Sequence, residues 1–298
     1  MKKTLVIINQ HTAKYRLRVD LLELLDILTK GGRECFAHPT QRAGDAMEYT
    51  AENAAEFDEI VCIGGDGTLG EVVTGLCRVE PDRRPPVGYI PAGTTNDFAS
   101  SIGLPSDPLA AARLIVEGTP REMDCGIVGG HIFNYIASFG AFTEVSYGTP
   151  QPLKNLFGHF AYLLEGVKHL SDIKPCRMRF ESGGEVIEGE FAFGAFANTL
   201  SIGGVIRLPG EVEFDDGLHE YLLVRMPQSL AALNETAVEL AGKNYGKNVV
   251  YGMFRRGRME FDPPAMAWSL VGDRVDTDGA VEIENLHSAY RLITAEKI

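Results

Sequence analysis

At 298 residues the chain has the length of two domains, and 45% apolar with 23% charged content is that of a globular protein with real cores. Its 28 basic against 41 acidic residues leave a formal charge of −13, which argues against nucleic acid as the main partner, because phosphate backbones call for clustered cations. The same balance argues against general attraction to anionic membranes.

Met1-Lys2-Lys3 ahead of Leu5–Ile8 starts like a secretory leader, but four apolar residues are too few for a leader's hydrophobic centre. The run reads instead as a first strand. Leu17 to Lys30 carries apolar residues at helical spacing and stops at Gly31-Gly32. Ala43 to Glu56 is a second helix, Ile60–Ile63 a buried strand, and Leu69 to about Val79 a third helix. Val87–Ile90 follows as a strand and Asp107 to Glu117 as a helix. Strands alternating with helices build a parallel sheet covered on both faces.

After about Met123 the pattern turns to β. Val128-Gly129-Gly130-His131 reads as a hairpin turn and Phe157–Leu170 as a helix. Met178–Phe180, Glu188–Ala197, Tyr221–Val224, Arg258–Phe261, Trp268–Val271 and Val281–Ile283 read as antiparallel strands, interrupted by a helix over Ser229–Gly242. The fold class is therefore α/β: a parallel-sheet domain over residues 1–125 and a mainly β domain over 126–298. A return of the last residues to the first domain is left open.

Cys35, Cys62, Cys77, Cys125 and Cys176 are odd in number and form no CxxC pair. They specify neither a zinc site nor a disulfide framework, and they fit a reducing compartment. No stretch approaches the roughly 20 apolar residues of a membrane span, so a cytoplasmic protein is expected that meets any lipid transiently, at the membrane surface. Arg255, Arg256 and Arg258 are the best candidate for a local basic patch, with a solvated strand end as the favoured alternative. The histidines are scattered and form no HExxH, and Trp268 and Phe191–Phe196 read as core.

Two loops carry the chemistry. Gly64-Gly65-Asp66-Gly67-Thr68 lies between a buried strand and a helix, the place where open α/β sheets bind ligands. Glycines let the backbone approach a phosphate, and the helix N-terminus favours one. Asp66 repels phosphate and is best explained by a Mg²⁺ ion between carboxylate and phosphates. A tight turn fixed by Asp66 is the alternative that this loop alone leaves open. The second loop, Pro91-Ala92-Gly93-Thr94-Thr95-Asn96-Asp97-Phe98-Ala99, follows the strand Val87–Ile90 and is dense in hydrogen-bonding groups. Its alternative reading is a cluster of helix caps. Neither loop is a P-loop, and neither carries the dinucleotide fingerprint.

Together the loops resemble the diacylglycerol kinase catalytic family, which includes sphingosine and ceramide kinases. The likeness runs on through Leu69-Gly70-Glu71-Val72, Gly103-Leu104-Pro105, Met123-Asp124-Cys125-Gly126, Phe133-Asn134, Ser138-Phe139-Gly140, Asp215-Asp216-Gly217-Leu218 and Asp278-Gly279. The first loop alone is shared with NAD kinases; the pair is specific. The resemblance implies a nucleotide-binding α/β domain, a β-sandwich domain and a cleft between them. It implies an enzyme that moves the γ-phosphate of ATP to a lipid hydroxyl, with diacylglycerol the first guess.

Carried over by residue, the resemblance implies that Asn9, Thr40, Gly65, Gly67, Thr68, Thr94 and Thr95 line the nucleotide and that Lys14 reaches its phosphates. Gly64, Glu71 and Asn96 complete that candidate set. Asp66, Asp97 and Asp124 are implied to form an acidic network associated with Mg²⁺, and Asp278 to accept the lipid hydroxyl proton. Glu213, Asp216 and Leu218 are implied to hold a structural Mg²⁺. Two positions depart from the family pattern. Asn9-Gln10-His11-Thr12-Ala13-Lys14 lacks its proline and glycine, and Ala280 replaces a glutamate often assigned as proton acceptor. Glu282, two residues on, is a candidate substitute. The alternatives are a kinase of a soluble acceptor, as NAD kinases are, and a nucleotide-binding regulator impaired by Ala280. A symmetric dimer is the default expectation for any homo-oligomer.

Overall fold

Continuous apolar runs such as Leu5–Ile8 and Ile60–Ile63 fit strands buried on both faces, and the first third of the chain folds around them. The computed structural model describes residues 1–10, 21–140, 174–199, 201–202, 206–208, 213–242 and 245–295. The expected helix Phe157–Leu170 and Lys14 lie outside the described residues. The chain divides into two units, Met1–Asp124 with Ser288–Ile298, and Cys125–His287.

The first unit contains β1 (Lys2–Ile8), α1 (Leu21–Lys30), β2 (Arg33–Pro39), α2 (Asp45–Asn53), β3 (Glu59–Gly64), α3 (Asp66–Leu76), β4 (Val87–Pro91), α4 (Asp97–Ser101) and α5 (Pro108–Glu117). β2, β1, β3 and β4 pair in that order, all parallel. α1 ends as the glycines predict: Gly31 and Gly32 donate back to Ile27 and Thr29, with Gly32 at φ +85°. Leu24 and Leu28, one turn apart, pack with Val6, Ile8, Val61, Ile63, Ile90, Ala111, Ala112 and Ile115 in one core. α2 and α3 approach closely at Gly75, where a Cβ would lie 2.4 Å from the Met47 carbonyl oxygen. α3 begins at Asp66, three residues before the apolar periodicity, because its first turn is the polar loop itself.

The second unit is mainly antiparallel. β5 (Thr119–Val128), whose residues from Cys125 belong here, forms a hairpin with β6 (His131–Phe133) through Gly129 and Gly130, both at positive φ. β7 (Ile136–Gly140), β8 (Cys176–Ser182), β9 (Glu185–Ala197), β10 (Ser201–Ile202), β11 (Ile206–Arg207) and β12 (His219–Arg225) follow. Then come α6 (Leu230–Gly242), β13 (Val249–Phe254), β14 (Arg256–Asp262), β15 (Met266–Leu270), β16 (Asp273–Thr277) and β17 (Val281–Thr294). β9 joins two groups of strands: its first half pairs with β8, and its second half with β7 on one side and β12 on the other. Phe139, Phe180, Phe196, Tyr221, Phe254, Phe261 and Trp268 from both groups share one core. The rings of Phe139 and Trp268 meet edge-on at 5.2 Å.

β17 serves each unit in turn. Val281–Glu284 pairs antiparallel with β14, and Leu292 pairs parallel with Val87 in the first unit. Arg84 secures that return, donating to the Ala289 carbonyl at 2.6 Å, while Arg291 donates to the Arg84 carbonyl at 2.7 Å. The arginine block is the favoured solvated strand end rather than a basic patch. Arg256 and Arg258 face Glu282 at 3.6 and 3.7 Å, and Arg258 also pairs with Glu260 at 3.1 Å. Alternating charge on neighbouring strands neutralises the block.

Candidate functional site

β1, β3 and β4 end side by side, so the loops that follow them share one edge of the parallel sheet. The two glycine-bearing loops touch. Ala92 N–H donates to the Gly64 carbonyl at 2.7 Å, and a Cβ on Gly93 would lie 2.6 Å from Gly65 Cα. Only glycine permits that approach. Gly65 stands before α3 in extended geometry with no side-chain cap, so this helix start presents unclaimed N–H groups to an anion.

Thr68 is buried, and its hydroxyl accepts from Asn9 Nδ2 at 2.9 Å, while Asn9 N–H donates to the Ile63 carbonyl. Thr40 N–H donates to the Ile8 carbonyl, placing the end of β2 against the end of β1. Asn96 adopts a left-handed conformation (φ +50°) and closes its loop: Gly93 N–H donates to Asn96 Oδ1 at 2.8 Å, and Asn96 Nδ2 to the Gly93 carbonyl at 3.2 Å. Thr94 is exposed and Thr95 half-buried at the tip between them. Glu71 has another task. Its carboxylate accepts the Gly44 and Ala46 N–H groups at 2.9 and 3.2 Å, fixing the start of α2 to α3.

Asp66 ties the loops together. Its Oδ1 accepts from the Tyr89 hydroxyl at 3.2 Å and its Oδ2 from the Asp97 N–H at 2.8 Å. Burial pushes its carboxyl up to about 6; the Asp97 N–H opposes that rise, the Asp97 charge adds to it, and the Tyr89 hydroxyl and Phe98 N–H also oppose it. Burial and the Asp66 charge hold the Tyr89 phenol well above its ordinary value, so it stays a donor. Asp97 is itself buried. Two adjacent carboxylates that repel each other are where a divalent cation gains most, and Mg²⁺ takes one or two carboxylates beside substrate phosphates. The pair fits such an ion. Among the described residues no group of three or more His, Cys, Asp or Glu side chains is placed to hold a metal. Asp124 is fully buried and accepts the Ser288 N–H at 2.7 Å.

In the second unit the segment Glu213–Leu218 is a closed turn. Asp216 Oδ1 accepts the Leu218 N–H at 2.8 Å, and the Leu218 carbonyl accepts from Asn285 Nδ2 at 3.0 Å. Glu213 is exposed. Asp278 is exposed beside Gly279 (φ +84°) in the turn before β17, and it makes no hydrogen bond or ion pair among the described residues. Ala280 and Glu282 both point to the exposed side of β17, but Glu282 faces Arg256 and Arg258.

Sequence reading missed Tyr89 and Ser288. Tyr89 had a faint signal, a hydroxyl in the otherwise apolar strand Val87–Pro91, where a buried phenol needs a partner. Ser288 had none, being 164 positions from Asp124.

A parallel α/β unit with paired glycine loops at its sheet edge, followed by an antiparallel β unit, is the architecture of the diacylglycerol kinase and NAD kinase class of folds. A crystal structure of a diacylglycerol kinase from Bacillus anthracis str. Sterne superposes with a TM-score of 0.73 at 22% identity, covering 99% of this chain and 97% of that one. An NAD kinase from Archaeoglobus fulgidus in complex with ATP is more distant, with a TM-score of 0.53 at 14% identity over 99% and 94%. Residues 3–128 match the diacylglycerol kinase catalytic domain. The diacylglycerol kinase of Bacillus subtilis (strain 168) is 34% identical over 254 residues, 84% of this chain and 83% of that protein. A Staphylococcus aureus diacylglycerol kinase is 35% identical over 224 residues, 75% and 70% of the two chains. The chain belongs to the diacylglycerol kinase family.

Proposed function

We propose that this protein transfers the γ-phosphoryl group of ATP to a hydroxyl of a lipid, diacylglycerol first among the candidates. One observation carries the reading: two glycine loops in backbone contact, with the Asp66–Asp97 pair beneath them, beside an uncapped helix start. Phosphoryl transfer needs positioning and charge neutralisation more than covalent chemistry. The backbone of Gly65–Thr68 receives the phosphates, and the exposed Thr94 and half-buried Thr95 stand at the second loop's tip. Asp66 and Asp97 would hold Mg²⁺, which would neutralise charge on the phosphates. The acceptor oxygen attacks the γ-phosphorus, ADP leaves, and Asp278 takes the hydroxyl proton, a role worth typically about 10²–10⁴-fold. No helix among the described residues is long and apolar enough to cross a membrane, which suits an enzyme that works at the membrane surface, in the cytoplasm.

A second reading is a nucleotide-binding regulator. It is favoured by Ala280, which lacks the family's carboxylate, while Glu282, the candidate substitute, faces Arg256 and Arg258 in exposed ion pairs. One experiment separates the two. Labelled phosphate from Mg²⁺-ATP is followed into organic-extractable product with diacylglycerol, monoacylglycerol, ceramide, sphingosine and NAD as acceptors. Label in a lipid, lost in Asp66→Ala and reduced at least 100-fold in Asp278→Asn, is expected. Label in NAD would favour a soluble acceptor. ATP binding with no transfer, restored by Ala280→Glu, would establish the regulator.

A further inference from the structure

We infer that Tyr89 is a positioning residue for the nucleotide site, acting through Asp66; this rests on the reading given under Proposed function. Tyr89 is 2% exposed and sits on β4, paired with Cys62 at the middle of the parallel sheet. It is thus held within the hydrogen-bonded sheet. Its hydroxyl donates upward to Asp66 Oδ1, and the opposite oxygen takes the Asp97 N–H. The carboxylate is held from below by one strand and from the side by the second loop. Asp66 therefore has one orientation, and the Gly65–Thr68 backbone that precedes and follows it inherits that orientation. A strand phenylalanine would fill the same volume and leave Oδ1 without this donor. A carboxylate oxygen stripped of a buried donor turns toward water or another N–H, and the loop turns with it.

The test compares Tyr89→Phe with Ile115→Val, a core change on α5, which packs on the sheet at Gly88. Binding of Mg²⁺-ATP and Mg²⁺-ADP is measured by titration calorimetry, and unfolding by calorimetric scanning. Tyr89→Phe is expected to weaken both nucleotides about tenfold. Ile115→Val is expected to change binding less than twofold at similar loss of thermal stability. In an Asp66→Ala background, Tyr89→Phe is expected to add less than a twofold change, because its acceptor is gone. Unaltered affinity in Tyr89→Phe would overturn the inference, as would equal weakening by Ile115→Val, which would mark Tyr89 as ordinary core. Absence of nucleotide binding by the unaltered protein would overturn the proposed function and this role together, a result distinct from the first two.

Discussion

Individual residues in this protein are read best by asking what their polar atoms hold. Asp66 is expected from sequence to face Mg²⁺; in the structure it accepts the Asp97 N–H, feels the Asp97 charge and is the knot between two loops. Glu71 shares a helix with the first glycine loop and also fixes the start of α2. Neither second task is visible in sequence, because each depends on a partner 25 to 31 positions away. Glu220 on β12 is a plainer case. It is 4% exposed, and its Oε2 finds no hydrogen-bond partner among the described residues. Burial raises its carboxyl to about 8, with the Asp216 charge adding to the rise. A folded-state value above the unfolded one means that the folded state binds the extra proton, so stability falls as pH rises from about 4.5 to about 8. Glu220→Gln should therefore melt higher than the parent above pH 8, by the order of 3 kcal/mol, and the gap should close below pH 4.5. Thermal scans at both ends of that range check the sign; a constant gap would locate the effect elsewhere.

At the scale of elements, the strands that were legible are those with a buried face. β3, β4, β9, β12 and β14 announced themselves by apolar runs or alternation. β2, β13 and β16 did not, and each pairs with a single neighbour among the described residues, while β7, buried along Ile136–Phe139, is an exception that sequence reading missed. An edge strand such as β16, with no fully buried residue, carries no pattern to read. The antiparallel unit also repeats one packing device that composition hides. The rings of Phe133, Phe139 and Tyr221 each lie across a glycine directly opposite on the next strand, Gly126, Gly194 and Gly252. A Cβ at Gly194 would come within 2.2 Å of the Phe139 ring. Ring and missing side chain form one unit, a cross-strand pair in which the glycine supplies space. Gly194→Ala should destabilise the protein by about 1–3 kcal/mol through overpacking, and Phe139→Leu in the same chain should recover part of that loss. Denaturant midpoints of the two variants and their combination measure it; additive losses would show that the pair is not coupled.

For the whole molecule, the decisive feature is the composition of the first unit, which takes Ser288–Ile298 to itself after a long excursion. Asp124 and Ser288 stand at the two crossings and are hydrogen-bonded to each other. Removal of residues 288–298 should strip β4 of its Leu292 pairing and leave Arg84 without its Ala289 partner. The first unit should then become sensitive to limited proteolysis while residues 125–287 stay resistant, a contrast read from fragment masses. Equal resistance of both units would show that the returning strand is dispensable.

That returning strand has a consequence for synthesis on the ribosome. β4 emerges early, yet the residue that pairs with Val87 is made about two hundred positions later. At about 5–20 residues per second, β4 waits on the order of 10–40 s with one flank unpaired. During that interval the nascent sheet is an open template for other chains. The antiparallel unit, by contrast, has every strand it needs before Ser288 is made, so it finishes first although it begins second. The order of maturation is the reverse of the order of translation, and the two glycine loops sit on the part completed last.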